Sequence, residues 1–292
     1  MSARILITTP VGNVGLETLR ALNRLPERNK LTLIAASRIP EKDQNELGPL
    51  TDALRSFDFA DPASTRQALK DIDRVLLVRP PQLADVKRYF DPLVLQMKEA
   101  GVRHVVFLSL QGVENNTLTP HHKLEVILRN SGLDYTFLRP GFFMQNLSTT
   151  HRNEIARRSE IYVPAGHGRT SFIDVRDIAE VAALALAHPD AHRNQAYELT
   201  GSEALTYDEV AAILSETLGR KITYRNPSIP AFIWRKWWQE KTPLGFVFIM
   251  TALYSVARLG KAASLTDTLP RLTGHPPITF RQFAEDYRSV WQ

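Results

Sequence analysis

The stretch Thr8-Thr9-Pro10-Val11-Gly12-Asn13-Val14-Gly15 is the part of the chain best suited to holding a phosphate. Gly12 and Gly15 carry the G-x-x-G spacing that closes a turn from a strand into a helix. In such a turn, backbone N–H groups and the positive end of the helix dipole approach a diphosphate. The apolar run before it and the helical spacing after it put the two glycines where that chemistry needs them. Two features depart from a complete dinucleotide fingerprint. Position 9, where a third glycine is expected, holds Thr9, and Pro10 has no N–H to donate. A second apolar run ends in Ala35-Ala36-Ser37-Arg38. At this point of a Rossmann unit an acidic residue accepts from the adenosine 2′-hydroxyl and selects NAD. Here a hydroxyl and a guanidinium stand instead, and the planar fork of Arg38 suits a 2′-phosphate. The residues therefore predict NADP(H) in preference to NAD(H).

Other chemistries find little support. The 292-residue chain has no cysteine, which removes disulfides, thiolate catalysis and cysteine metal ligation. His188 and His192 have the spacing of a helical metal pair, but Pro189 interrupts it and no third ligand follows, so no metal is expected. The formal charge of +5 is spread along the chain without an arginine-rich arm, zinc-finger spacing or zipper, so no nucleic acid is expected either. The most apolar late stretch, Leu244 to Ala257, is shorter than the ~20 residues that span a bilayer. Met1-Ser2-Ala3-Arg4 runs straight into Ile5-Leu6-Ile7 without a signal-peptide pattern. With the lack of cysteine, this gives a cytoplasmic expectation and no membrane association.

The elements that would position the phosphate loop follow from periodicity. Arg4 to Thr8, Leu31 to Ala36, Phe57 to Phe59, Arg74 to Val78, His104 to Leu108 and Tyr135 to Leu138 read as strands. Between them, Val14 to Leu25, Pro62 to Leu69, Asp85 to Ala100 and Lys123 to Ser131 read as helices. Pro92 is expected to kink or split the third of these helices. Such alternation predicts an α/β fold, a Rossmann-type doubly wound parallel sheet covered by helices on both faces. Beyond Pro140 the rhythm loosens. Asp177 to Ala187 and Tyr207 to Leu218 read as helices, the latter capped by Thr206, and Pro227 to Gly260 is rich in Trp, Phe and Pro. We expect a dinucleotide-binding domain over residues 1–150. A smaller, mostly helical C-terminal lobe would follow over residues 151–292, with some segments returning to the first domain.

Three further segments carry a family resemblance. Ser131 to Asn146, reading SGLDYTFLRPGFFMQN, is similar to the "SGL-x-YT-x-LRP-x-FF-x-x-N" stretch of the NmrA-like branch of atypical short-chain dehydrogenases/reductases. Tyr162 to Arg169 followed by Phe172 to Ala179 resembles a second signature of that branch, and Leu272 to Pro277 with Phe280 and Phe283 resembles its C-terminal "TG-x-PP" stretch. The branch includes NAD(P)H:quinone oxidoreductases and NADP-sensing regulators. The resemblance implies that Asp58 and Phe59 flank the adenine and that Val78, Arg79 and Pro80 lie along the cofactor. It also implies that Ser109 and Leu110 sit near the nicotinamide ribose, and that Pro140, Gly141, Phe142 and Phe143 approach the nicotinamide and substrate.

Short-chain dehydrogenases commonly use Tyr-x-x-x-Lys, in which the tyrosine is a general acid/base and the lysine lowers its pKa. Counting back from Glu125 in the family frame puts His121 at the lysine position and Thr117 at the tyrosine position. An aliphatic alcohol cannot replace a phenol as an acid, so ordinary secondary-alcohol oxidation is not expected. His121, Thr117 and the nearby Lys123 are the catalytic candidates. Quinone reduction survives this departure, because the nicotinamide delivers hydride and the protein need only place an apolar acceptor and supply a proton. Phe142, Phe143, Trp234, Trp237, Trp238, Phe246 and Phe248 could line the apolar pocket that this requires. The leading expectation is hydride transfer from NADPH to a quinone-like or other apolar carbonyl acceptor. The alternative is a non-catalytic NADP(H) redox sensor acting through a regulatory protein partner. A homodimer is left open.

Overall fold

Ile5, Leu6 and Ile7 have no exposed surface, which requires a strand covered on both faces. The computed structural model, which describes residues 2–292, places them in β1 (Ala3–Thr8), an interior strand of a seven-stranded sheet. Its other strands are β2 (Leu31–Ser37), β3 (Ala53–Ser56), β4 (Arg74–Leu77), β5 (His104–Leu108) and β6 (Asp134–Pro140). Later in the chain come β7 (Phe142–Phe143), β8 (Glu160–Tyr162), β9 (Thr170–Ile173), β10 (Gln195–Leu199), β11 (Ala204–Leu205) and β12 (Thr223–Arg225). The large sheet runs β10-β6-β5-β4-β1-β2-β3, every neighbouring pair parallel. The order reverses between β1 and β4, the switch point at which doubly wound sheets open a crevice for ligands.

Two compact units share the chain. The first runs through Pro140 and takes up the chain again at Val175–Leu199; the second comprises Gly141–Asp174 and Thr200–Gln292. In the first unit α1 (Asn13–Arg24), α2 (Pro40–Leu47), α3 (Pro62–Ala68), α4 (Val86–Glu99) and α5 (Pro120–Asn130) connect the strands. One layer of the core gathers Phe57, Phe90, Phe107 and Phe137 with aliphatic side chains of the sheet and helices. The helix Val175–Ala187 packs on α1, and its alanines 179, 182, 183 and 185 are fully buried, as close helix packing requires.

The sequence reading needs correction at several boundaries. The third strand is Ala53–Ser56, and Phe57-Asp58-Phe59 lies just past its C-terminal end. β3 is an edge strand, half-exposed along its length, so it lacks the apolar run that marks a covered strand. The opposite edge, β10, was missed for the same reason. α5 begins at Pro120 rather than Lys123, because Thr119 accepts from the His122 N–H as N-cap and Pro120 fits the first helical position. The later helix starts at Val175 rather than Asp177. Pro92 lies inside α4 without dividing it.

The second unit holds a three-stranded sheet, β11-β9-β7, and the parallel pair β12-β8. Phe172, Tyr207, Phe232, Tyr254, Phe280, Phe283 and Trp291 form the aromatic part of its core. Among the described residues no helix is long and apolar enough to cross a membrane.

Candidate functional site

At the switch point β1 and β4 are tied together by Thr8, which ends β1, and by Thr9 just past it. Thr8 Oγ1 donates to the Leu76 carbonyl at 2.8 Å and accepts from the Val78 N–H at 2.9 Å. Thr9 Oγ1 donates to the Val78 carbonyl at 3.0 Å. Thr9 has φ +52°, the left-handed conformation that a glycine would adopt without strain. A β-branched residue is a steric outlier there, and its hydroxyl bond offsets the cost. Gly12 N–H closes the turn onto the Thr9 carbonyl at 3.0 Å. Gly15 has no alternative residue: a Cβ on it would stand 2.4 Å from the Thr9 carbonyl oxygen. The turn delivers the chain into α1 with no side chain capping its N-terminus and no acid in its first turn. The first-turn amides, from Asn13 to Gly15, therefore have no intrahelical acceptor, and the dipole there is uncompensated. Pro10 is buried and Val11 is exposed.

Arg38, just past β2, is exposed and has no acidic partner among the described residues. Ser37 is buried instead. Its hydroxyl donates to Asp43 of α2 and accepts from the Ile39 N–H at 3.0 Å, closing the β2–α2 turn. Asp43 gave no signal in the sequence, since only the fold brings it back to the strand end. Asp58 and Phe59, past β3, are half-buried. The Asp58 carboxylate accepts from the Ala60 N–H at 2.8 Å, and the Phe59 ring packs edge-on to Phe57 at 4.9 Å. Phe59, Arg88 and Tyr89 line a cleft of about 170 Å³.

Past β4, Val78 and Pro80 are half-buried, and Arg79 folds onto its own loop, with Nη1 donating to the Pro80 and Leu83 carbonyls at 2.9 and 3.0 Å. Past β5, Ser109 is buried with its hydroxyl donating to Glu125 Oε1 at 2.6 Å, and Leu110 is half-buried. Glu125, 3% exposed on α5, also receives Arg139 Nε at 3.0 Å and Nη2 at 2.7 Å. This carboxylate–guanidinium fork ties α5 to β6 and fixes the helix one turn beyond His121. The His121 ring stacks on Phe107, centroids 6.1 Å apart and planes inclined by 28°. It has no hydrogen-bond partner in the protein. Burial, with the Arg79 charge, pushes its pKa down to about 3, so the imidazole is neutral at physiological pH. Thr117 and Lys123 lie exposed, on the loop before α5 and on its outer face. Of the three catalytic candidates, the fold brings only His121 beside Phe107 and Arg79.

Pro140 is buried at the end of β6, and its carbonyl accepts from the Gln111 N–H at 3.1 Å. Gly141 opens the second unit, where Phe142 and Phe143 pair with Phe172 and Ile173 in half-buried positions. Phe246 is also half-buried, whereas Trp234, Trp237, Trp238 and Phe248 are exposed. A π-helical turn over Arg235–Gln239 turns the last two tryptophans outward and Lys236 inward. The histidines with metal-like spacing have other partners: His188 meets Glu27 at 2.6 Å and His192 meets the Tyr197 hydroxyl at 3.0 Å.

The first unit fits a dinucleotide. An uncapped helix start follows a turn that excludes a Cβ, and two unpaired arginines, Arg38 and Arg79, flank it on neighbouring strand ends. Comparison with known proteins agrees with this geometry. The model of the NmrA-like family matches residues 3–256. An NAD(P)H azoreductase from Xenophilus azovorans is 34% identical, with 98% of this chain and 99% of that one covered. Among solved structures, an NADPH-dependent quinone oxidoreductase from Escherichia coli complexed with NADPH has a TM-score of 0.85 at 25% identity, covering 97% of this chain and 99% of that one. A Citrobacter triphenylmethane reductase complexed with NADP(H) shares the fold, with a TM-score of 0.83 at 23% identity over 98% of this chain and all of that one. The chain belongs to the NmrA-like family.

Proposed function

We propose that this protein is an NADPH-dependent reductase that passes hydride to a quinone-like or other apolar carbonyl acceptor. The observation that carries the reading is His121: a neutral, half-buried imidazole with no protein partner, stacked on Phe107 at the start of α5. When bound, the dinucleotide supplies the hydride. The first-turn amides of α1 hold its diphosphate, and Arg38 meets a 2′-phosphate. Phe59 and Tyr89, which line one cleft, offer the adenine aromatic rings to pack on. His121 then donates a hydrogen bond from a neutral N–H to the acceptor oxygen, which favours negative charge developing there without a prior protonation. Water supplies the final proton.

The names of relatives support this reading, since azoreductase and quinone oxidoreductase both denote reduction of extended conjugated acceptors. The absence of a phenol at Thr117 removes the acid/base of alcohol oxidation. The test is NADPH consumption across a panel of quinones, enones and azo compounds. Acceptor-dependent oxidation of NADPH is expected. His121→Ala should lower kcat by roughly tenfold to a hundredfold while leaving the NADPH Kd unchanged, and wild-type kcat should show no His121 titration between pH 5 and 8. Full binding of NADPH with no turnover of any acceptor would overturn the reading in favour of a cofactor-sensing role.

A further inference from the structure

Arg79 is a guanidinium drawn partly out of water with nothing negative to meet it. Its Nη1 donates to the carbonyl oxygens of Pro80 at 2.9 Å, Pro81 at 3.3 Å and Leu83 at 3.0 Å. Those bonds pin the side chain to its own loop by one nitrogen. The opposite edge is unengaged: Nε is buried without a partner and Nη2 makes no hydrogen bond. Among the described residues no carboxylate pairs with Arg79. The buried carboxylate on α5, Glu125, is taken by Arg139, Arg129 and Ser109.

The place of this edge in the fold is specific. Leu77 and Phe107 are register partners on β4 and β5, Arg79 lies two residues past the first, and His121 stacks on the second. A guanidinium bonded only to neutral carbonyls and a neutral imidazole without a hydrogen-bond partner thus sit together at the strand ends. Because the protein covers Nε, the donors left free are the two N–H groups of Nη2, which suit an oxygen of a carboxylate, sulfonate or phosphate. A withdrawn charge met only by neutral carbonyls is suited to pairing with an anion.

We propose that Arg79, with His121 beside it, is an oxyanion anchor for the reaction this site performs. The anion is either a charged substituent of the acceptor or a phosphate of the cofactor. The acceptor is favoured, because the cofactor's diphosphate and 2′-phosphate have separate matches in the start of α1 and in Arg38. The acceptor arm rests on the reductase reading; anion binding does not.

The experiment uses the full chain and its Arg79→Gln and Arg79→Lys variants, with folding checked by thermal melting. Calorimetry measures binding of NADPH, and of a naphthoquinone sulfonate to the protein saturated with NADP. Kinetics compare that sulfonate with the uncharged naphthoquinone. If the acceptor carries the anion, wild type prefers the sulfonate in kcat/KM by about tenfold, Arg79→Gln abolishes the preference, Arg79→Lys keeps part of it, and the NADPH Kd stays put. If the cofactor carries it, Arg79→Gln weakens NADPH by about tenfold and lowers both acceptors equally. Unchanged NADPH affinity together with unchanged sulfonate preference overturns the anchor. If no acceptor turns over, the reductase reading fails and calorimetry alone decides. Loss of sulfonate or NADPH binding in Arg79→Gln then upholds the anchor, and equal binding rejects it.

Discussion

Lys236, in the second unit, is 3% exposed, and its ammonium meets Glu154 at 2.7 Å and Glu240 at 2.9 Å. Glu154 in turn meets His151 Nδ1 at 2.6 Å, and the other ring nitrogen of His151 faces the Tyr254 hydroxyl. Each withdrawn charge in that cluster has a counter-charge within the unit. Arg79, in the first unit, is also withdrawn from water, yet only neutral carbonyls receive it. Burying a charge is costly unless it is paired and hydrogen-bonded. The contrast separates two uses of one kind of residue. The cluster around Lys236 is complete without a ligand and holds the inward side of the π-helical turn. The site around Arg79 holds no such counter-charge.

The largest effect expected from breaking this contrast is in the second unit. Lys236→Met leaves the buried Glu154 and the half-buried Glu240 without their amine and should destabilise the protein by about 3–5 kcal/mol, read as the shift of a urea unfolding midpoint. Arg79→Gln should change stability by less than about 1 kcal/mol, because no protein carboxylate loses a partner. Equal losses in the two variants would erase the distinction.

A smaller effect separates the units by pH. Burial pushes the Glu154 carboxyl up, but its hydrogen bond and attraction to His151 and the Lys236 charge outweigh this and hold it below the usual range. A carboxyl depressed in the folded state contributes stability that is present above its unfolded pKa and lost as pH falls through the folded one. Unfolding midpoints taken from neutral pH down through that window should therefore fall in wild type, and fall less steeply in Lys236→Met. A parallel acid dependence in both proteins would mean that Lys236 does not hold the carboxylate.

The smallest expected effect is Thr9→Gly. The left-handed conformation costs a β-branched residue about 1–2 kcal/mol, and the bond from Thr9 Oγ1 to the Val78 carbonyl returns about 1 kcal/mol. The substitution removes both, so stability should move by no more than about 1 kcal/mol. A large loss would show that the hydroxyl bridge, and not the turn itself, holds β1 to β4.

The parts legible in the sequence are those set by periodicity and by single residues. The covered strands β1, β2, β4, β5 and β6 announce themselves as apolar runs, and the spacing of Gly12 and Gly15 marks the tight turn into α1 without a fold. The edge strands β3 and β10 do not, because half their side chains face water. Contacts between residues distant in sequence were also out of reach. Nothing near Ser37 points to Asp43, and nothing near Glu154 points to Lys236, 82 residues away. The aromatic segment around Trp237 and Trp238 reads as a possible lining of an apolar pocket, yet in the π-helical turn both rings face outward and a lysine inward. That inversion follows from one extra residue in a helical turn, which propensity does not encode.

The central claim is that the first unit binds NADPH through the α1 turn and Arg38. Its most direct test is calorimetric titration of wild type and Arg38→Ala with NADPH, NADP, NADH and NAD. The account predicts about micromolar NADPH binding, weaker NADH binding, and a preference that Arg38→Ala removes, a loss of roughly 1.5–3 kcal/mol for a charge-assisted contact. Failure of all four dinucleotides to bind wild type would contradict it.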